Sequence, residues 1–273
     1  MQKIADLIAE IHLRDHLIRN RFHLRIEIDN LEAFDIVRDL IGQGKVQLIS
    51  FMDHTPGQGQ YNDFGMYHDA VTKYKGKEIE AIGYEGILEH HRSKSTLSAD
   101  KLKELAALAH EKGFAVASHD DDTDEKLVQN KKIGVDISEF PITIEAAKSA
   151  KSYGLYTVVG AANILRNGSH SGNLSATDAV LEDCADIICS DYYPAAILHS
   201  IFIMHSKYGV PLHQMVNRAT LNPARATRID NDYGSVEPGK KADLLIVDAV
   251  DGYPMITHAF VDGCTTYRVE YRR

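Results

Sequence analysis

The chain has 273 residues, 44% hydrophobic and 25% charged, and its 30 Lys and Arg against 39 Asp and Glu give a formal net charge of −9. That length suits one large α/β domain, or one domain with a small satellite, able to bury about three quarters of its unfolded surface. The acidic balance argues against a general nucleic-acid or anionic-membrane binder. A phosphorylated substrate would need local positive charge from bound metal or a few Arg and Lys. No stretch approaches ~18 consecutive apolar residues, so no spanning helix is expected. Lys3, Asp6 and Glu10 interrupt the apolar N-terminus, so it is not a secretory signal and the cytoplasm is the expected compartment.

Taken in chain order, residues 2–19 place Ile4, Leu7, Ile8, Ile11, Leu13 and Leu17 near helical spacing, and residues 23–28 then alternate apolar with polar like a strand. Leu31 to Ile41 predicts a helix stopped by Gly42 and Gly44, followed by a β-rich run over 46–52. Leu97 to Lys112 predicts a helix with Ser98 as its cap and Gly113 past its last turn. Strands are expected at 114–118, 135–138, 156–159 and 187–189, with helix-like stretches between nearly all of them. Six strands in βα alternation with no hairpin between them imply a parallel sheet with crossover helices.

Polar residues recur at the C-terminal ends of these strands: Glu27, Asp53-His54, the run His119 to Asp122, Glu139, Asn163 and Asp191. Such recurrence favours a TIM barrel over a doubly wound sheet, whose ligand groups cluster at one switch point. Six strands are two short of a closed barrel. Helices are expected at 194–208 and 211–220, and the character changes near Ile229. Beyond it come a turn-rich stretch, a strand at 242–248, and two short strands flanking Asp262-Gly263, a hairpin signal. The predicted division is therefore 1–228, a barrel part, and 229–273, a small β unit. Cys184, Cys189 and Cys264 are an odd number without CxxC spacing and read as buried free thiols.

Glu27, His54, His119 and Asp191 close separate strands, and such a mixed nitrogen and oxygen set suits Zn²⁺, Mn²⁺ or a similar divalent ion. Asp120, Asp121 and Asp122 read either as a solvated loop or as partners holding the imidazole of His119 in register. Residues 166–173 gather Arg166, Ser169, His170 and Ser171 with two amides and two glycines, a donor-rich loop appropriate to phosphate oxygens. The run from His90 through His91 and Arg92 to Lys94 is a second basic cluster. With Asn163, these residues are the candidate substrate contacts.

The tail GSVEPGKKADLLIVD, which follows LNPARA, resembles the C-terminal signature of the amidohydrolase superfamily. Within it, FMDHTPGQGQ (51–60), ASHDDDT (117–123), ISEFPIT (137–143), the 168–172 loop and SDYYPAAILH (190–199) resemble the PhnM family, α-D-ribose 1-methylphosphonate 5-triphosphate diphosphatases of the carbon–phosphorus lyase pathway. The resemblance implies a partial α/β TIM barrel of the metal-dependent amidohydrolase type, with a C-terminal β unit from a composite sandwich. It implies hydrolysis to diphosphate and 5-phosphoribosyl 1-phosphonate, with Glu27, His54, His119 and Asp191 as ligands of Zn²⁺ or Mn²⁺ and Asp191 and His119 as the catalytic residues. Asp191 would take the proton of the attacking water. Homodimerisation is the habit of the superfamily.

Ala162 and Asn167 stand where the family carries Pro and Gly. The family's His-x-His pair is also missing, since no such spacing occurs in the chain. The resemblance places that pair, two barrel strands and half of the sandwich ahead of Met1. A truncated product is therefore expected, beside a fragment completed by another chain or a relative with a changed role. An amide or ester hydrolase of deacetylase or cyclic amidase type, and a non-catalytic scaffold, are the alternative functions.

Overall fold

Six strands lie side by side in chain order and all run parallel: β1 (His23–Glu27), β2 (Leu48–Met52), β3 (Ala115–His119), β4 (Ile137–Glu139), β5 (Tyr156–Gly160) and β6 (Ile187–Cys189). This is a computed structural model, and it describes residues 1–271 apart from 15–16, 60–63, 75, 167 and 169–172. A doubly wound sheet reverses its strand order at a switch point. The unbroken sequential order is instead that of an arc of a (β/α) barrel, so the expected partial barrel is what the chain forms. Among the described residues β1 and β6 each have one neighbour, which leaves the sheet open.

The crossover helices begin where short polar side chains close the first turn. Ser98 accepts a bond from the Lys101 amide (3.4 Å) at the start of α5 (Ala99–Glu111). Preceding it are α1 (Gln2–His12), α2 (Phe34–Gly42), α3 (Phe64–Tyr74) and α4 (Gly76–Ser93). Thr123 and Thr143 do the same for α6 (Asp124–Ile133) and α7 (Ile144–Ser152) through the amides of Lys126 and Ala146. Each cap satisfies an orphan N–H and contributes about 1 kcal/mol. One core joins Val37, Leu40 and Ile41 of α2 to Ile49, Val116 and Leu105. A second lies under α8 (Ala161–Arg166), α9 (Ala176–Leu181) and α10 (Ala196–Tyr208), where Val159, Ile188 and Met204 are buried.

After α11 (Leu212–Ala219) and α12 (Leu221–Ala226) the chain turns into an antiparallel sheet of β7 (Leu244–Val250), β8 (Tyr253–Val261) and β9 (Cys264–Arg268). Asp262 and Gly263 take φ of 51° and 77°, the left-handed pair that the expected hairpin requires. Arg19 ties this unit to the chain's beginning, with ion pairs to Asp243 and Asp262 and its guanidinium 5.4 Å from the Tyr233 ring centroid. Among the described residues this unit is a single three-stranded layer.

Several expectations shift. The first helix stops at His12 rather than Arg19, and the helix from Leu31 begins with a 3₁₀ turn, Leu31–Ala33. Only Cys184 is a buried thiol: Cys189 is half-buried at the end of β6 and Cys264 is exposed on β9. The Asp120–Asp122 run is not a solvated loop, because Asp120 is 6% exposed and Asp121 not at all. Asp121 accepts from Ser118 (2.6 Å), Ser138 (2.5 Å) and Asn130 (2.7 Å), so one carboxylate joins β3, β4 and α6. Asp121→Ala strands two buried hydroxyls and the half-buried Asn130 amide and should lower unfolding free energy by about 2–3 kcal/mol. Urea unfolding checks this, and an unchanged midpoint would show that the carboxylate does not hold these elements.

Candidate metal centre and substrate pocket

Strand register brings the first two candidates together. Glu27 ends β1 opposite Met52 of β2, and His54 follows two residues later, its Nδ1 2.8 Å from Glu27 Oε2. Both are half-buried at one end of a pocket of about 220 Å³, whose walls also carry Asp53, Thr55, His91 and Lys94. The hydrogen bond to Glu27 raises the His54 pKa above its ordinary value, against burial, and Asp120 adds to the rise. His91, read from sequence as a substrate contact, is therefore brought to this pair. Arg92 faces away, into a shallow surface depression with Glu85 and Glu89.

His119 ends β3 beside the buried Asp120, whose Oδ2 lies 3.0 Å from His119 Nδ1. The contact is ionic in range but not aligned as a hydrogen bond, which leaves Nδ1 buried without a hydrogen-bond partner among the described residues. The His119 ring packs 5.2 Å from Phe140. Asp191 stands two residues past β6 with its Oδ2 over Gly160 of β5, where a Cβ would meet that oxygen at 3.4 Å and Phe140 at 3.5 Å. Asp120, Phe140 and Asp191 all have φ near +54°. This conformation is unfavourable for a bulky residue such as Phe, and strain of this kind gathers at working sites. Gly59, in the loop after β2, is also constrained: its φ is +53°, a Cβ would lie 3.0 Å from the Asp120 carbonyl, and its N–H donates to Asp122 (2.8 Å).

Of the substrate candidates, Arg166 is exposed and donates to the Tyr192 hydroxyl (3.3 Å), beside Asp191. Asn163 buries an Oδ1 with no hydrogen-bond partner among the described residues. Ser169, His170 and Ser171 lie outside the described residues. Sequence reasoning missed a buried relay on the same sheet. His23 Nε2 meets Ser50 Oγ, and Ser50, fully buried, donates to Glu139 Oε2 at 2.8 Å. Burial pulls the His23 pKa below its ordinary value although Glu139 opposes this. At the end of β6, burial pushes the Cys189 thiol up to about 12, so it stays protonated and unreactive at neutral pH.

Residues 86–267 match the Amidohydrolase family. The chain belongs to that family. Within it the chain is PhnM-like: it is 33% identical over 269 residues to the α-D-ribose 1-methylphosphonate 5-triphosphate diphosphatase of Escherichia coli (strain K12), covering 96% of this chain and 70% of that protein. Among solved structures, the N-acetylglucosamine-6-phosphate deacetylase of Pasteurella multocida superposes with a TM-score of 0.62 at 12% identity, covering 98% of this chain and 73% of that one. The ochratoxinase of A. niger gives 0.55 at 15% identity over 86% of this chain, which spans 55% of that enzyme. These two likenesses concern the fold.

The divalent ion implied for an amidohydrolase meets donors suited in kind but not gathered in number. Imidazole and carboxylate are appropriate ligands, and the orphaned His119 Nδ1 is the sort of atom a ligand satisfies. Among the described residues, however, no three of His, Cys, Asp and Glu are grouped to hold an ion, and Glu27 and His54 bond to each other.

The two histidine shifts have opposite signs. His54, raised, contributes stability below the unfolded value of about 6.5 that is lost as pH rises through its folded value. His23, lowered, contributes stability above about 6.5 that is lost as pH falls towards its folded value. Histidine NMR titration of the metal-free chain should find His54 titrating above 6.5 and His23 below it, with Glu27→Gln bringing His54 down. An unmoved His54 in that variant would mean that the pair does not form.

Proposed function

We propose that the chain serves the hydrolysis of α-D-ribose 1-methylphosphonate 5-triphosphate, with water cleaving the phosphoric anhydride to give diphosphate and the corresponding ribosyl 5-phosphate. The observation that carries this reading is the likeness to the E. coli diphosphatase, which runs through 96% of the chain. It takes in the strand-end residues Glu27, His54, His119 and Asp191. These four are donors of the right kind for a Zn²⁺ or Mn²⁺ ion, although among the described residues no three are grouped to hold one; such an ion would lower the pKa of bound water towards ~7 and offset phosphate charge.

The side chains have separable tasks in this reading. Asp191, turned over Gly160 by its left-handed backbone, is the base that accepts the water's proton. His119 faces the same end of the sheet with Asp120 at its Nδ1, which biases its orientation. Arg166, held by Tyr192, and Ser169, His170 and Ser171 form the phosphate clamp, with His91 and Asn163 as further substrate contacts. The division into 1–228 and 229–273 belongs to the same proposal, supported by the change from crossover helices to an antiparallel sheet after α12.

The test is diphosphate release by the full chain from the ribosyl methylphosphonate triphosphate, with Zn²⁺ or Mn²⁺ supplied. Release is expected, falling at least about 100-fold in Asp191→Asn, the loss typical of a removed general base. Orthophosphate as the sole product, or no turnover with either ion, would overturn the assignment for this chain.

A further inference from the structure

The pocket at the ends of β1 and β2 holds more than the Glu27–His54 pair. Its polar walls are Asp29, Asp53, Thr55, His91 and Lys94, and Ile28 and Met52 give it an apolar floor. Its charges are largely matched in place: Lys94 Nζ lies 2.7 Å from Asp29 Oδ2, and His54 lies 2.8 Å from Glu27. Asp53 Oδ1 accepts the Thr55 amide at 3.1 Å. Apart from any ion at the Glu27–His54 end, a pocket with three carboxylates and paired cations offers a polyphosphate no net attraction. The same groups are well suited to hydroxyls, because a carboxylate accepts from them while imidazole, ammonium and threonine hydroxyl can donate. An apolar floor under such a rim is the usual arrangement of a small-molecule site.

One wall is held from outside. Tyr67 of α3 is 2% exposed and packs with Val71 and Ile87 in a small core of its own. Its hydroxyl lies 2.6 Å from His91 Nδ1, with the two rings edge-on at 5.9 Å. With the phenol as donor, the neutral imidazole carries its proton on Nε2, which fixes both the tautomer and the plane of the ring.

We propose that this pocket is a pentose subsite. The inference rests on the ribosyl triphosphate reading and deepens it: Asp53 and the Asp29–Lys94 pair take sugar hydroxyls, and Tyr67 is the positioning residue that sets His91 over them. The phosphate chain then leaves the pocket towards β5 and β6, where Arg166 stands.

The test titrates the full chain separately with D-ribose 5-phosphate and with inorganic triphosphate, reading affinity by calorimetry and the assigned histidine side chains by NMR. Ribose 5-phosphate should move the His91 and His54 signals. Asp53→Asn, isosteric and still able to accept the Thr55 amide, should weaken ribose 5-phosphate about tenfold, the loss of one charge-assisted hydrogen bond, and leave triphosphate affinity unchanged within about twofold. Tyr67→Phe keeps the ring packing, so it should leave the thermal midpoint in place while shifting the His91 ring-nitrogen signals towards the other tautomer and weakening the sugar phosphate about threefold. A His91 signal unmoved by ribose 5-phosphate, or an Asp53→Asn loss equal for both probes, would overturn the subsite. Sugar binding as described in a chain that releases no diphosphate would sink the diphosphatase reading alone. Diphosphate release with wild-type sugar affinity in both variants would sink the subsite alone.

Discussion

The buried carboxylate of Asp121 is the constraint on which the candidate site depends. Burying an ionised group costs several kcal/mol unless donors replace its water, and burial pushes the Asp121 pKa up while Ser118 and Ser138 pull it back. Satisfying it requires Ser118 on β3, Ser138 on β4 and Asn130 on α6 to meet at one point. The backbone then follows: Asp120 donates its N–H to the Glu139 carbonyl, and Ile142 donates to the Asp121 carbonyl. The loops leaving β3 and β4 are thus knitted together, with Asp120 forced into its left-handed turn against His119. The geometry at His119 is set by a neighbour two residues away that touches no substrate.

That dependence explains what was legible in the sequence and what was not. Strand ends were legible because apolar runs closing on Glu27, His54, His119 and Asp191 mark both a period and a boundary. Caps at Ser98 and the hairpin at Asp262-Gly263 were legible for the same local reason. Asp121 was not, since in a run of three aspartates only packing decides which is buried. The His23–Ser50–Glu139 relay joins three strands of the parallel sheet, with Ser50 and Glu139 alone 89 positions apart, which leaves no local pattern. His91 was visible only as part of a basic cluster. That it faces the Glu27–His54 pair while Arg92 turns to Glu85 and Glu89 follows from the phase of α4, which the break at Gly83 obscures.

Sheet geometry accounts for the uneven assembly of the four proposed ligands. Adjacent parallel strands are about 4.8 Å apart, so Glu27 on β1 and His54 after β2 meet directly, and Asp120 beside His119 on β3 is close enough to raise the His54 pKa. Asp191 follows β6, five strand spacings from β1, about 24 Å when measured along the sheet. Only curling of the sheet brings the end of β6 across towards the end of β1. Curvature of the arc is therefore a requirement of four-ligand chemistry as well as a fold preference, because strand-end side chains converge on a common axis only as the sheet bends round it.

The same geometry gives the two ends of the arc different work. Around β1 and β2 acids and bases neutralise one another in a walled pocket, so that end can hold uncharged hydroxyl groups without a strong field. Around β5 and β6, Arg166 and Asp191 stand at the open face of the sheet, Arg166 fixed by Tyr192 and Asp191 by its turn over Gly160. A substrate with a neutral sugar at one end and a charged phosphate chain at the other matches that polarity in one orientation, sugar towards β1 and phosphates towards β6. Reversing it sets the phosphates against Asp29 and Asp53, where at an effective dielectric near 20 each unit charge at ~4 Å from a carboxylate is repelled by about 4 kcal/mol before pairing and salt reduce it. In the proposed reading, orientation is decided by repulsion at one end as much as by attraction at the other.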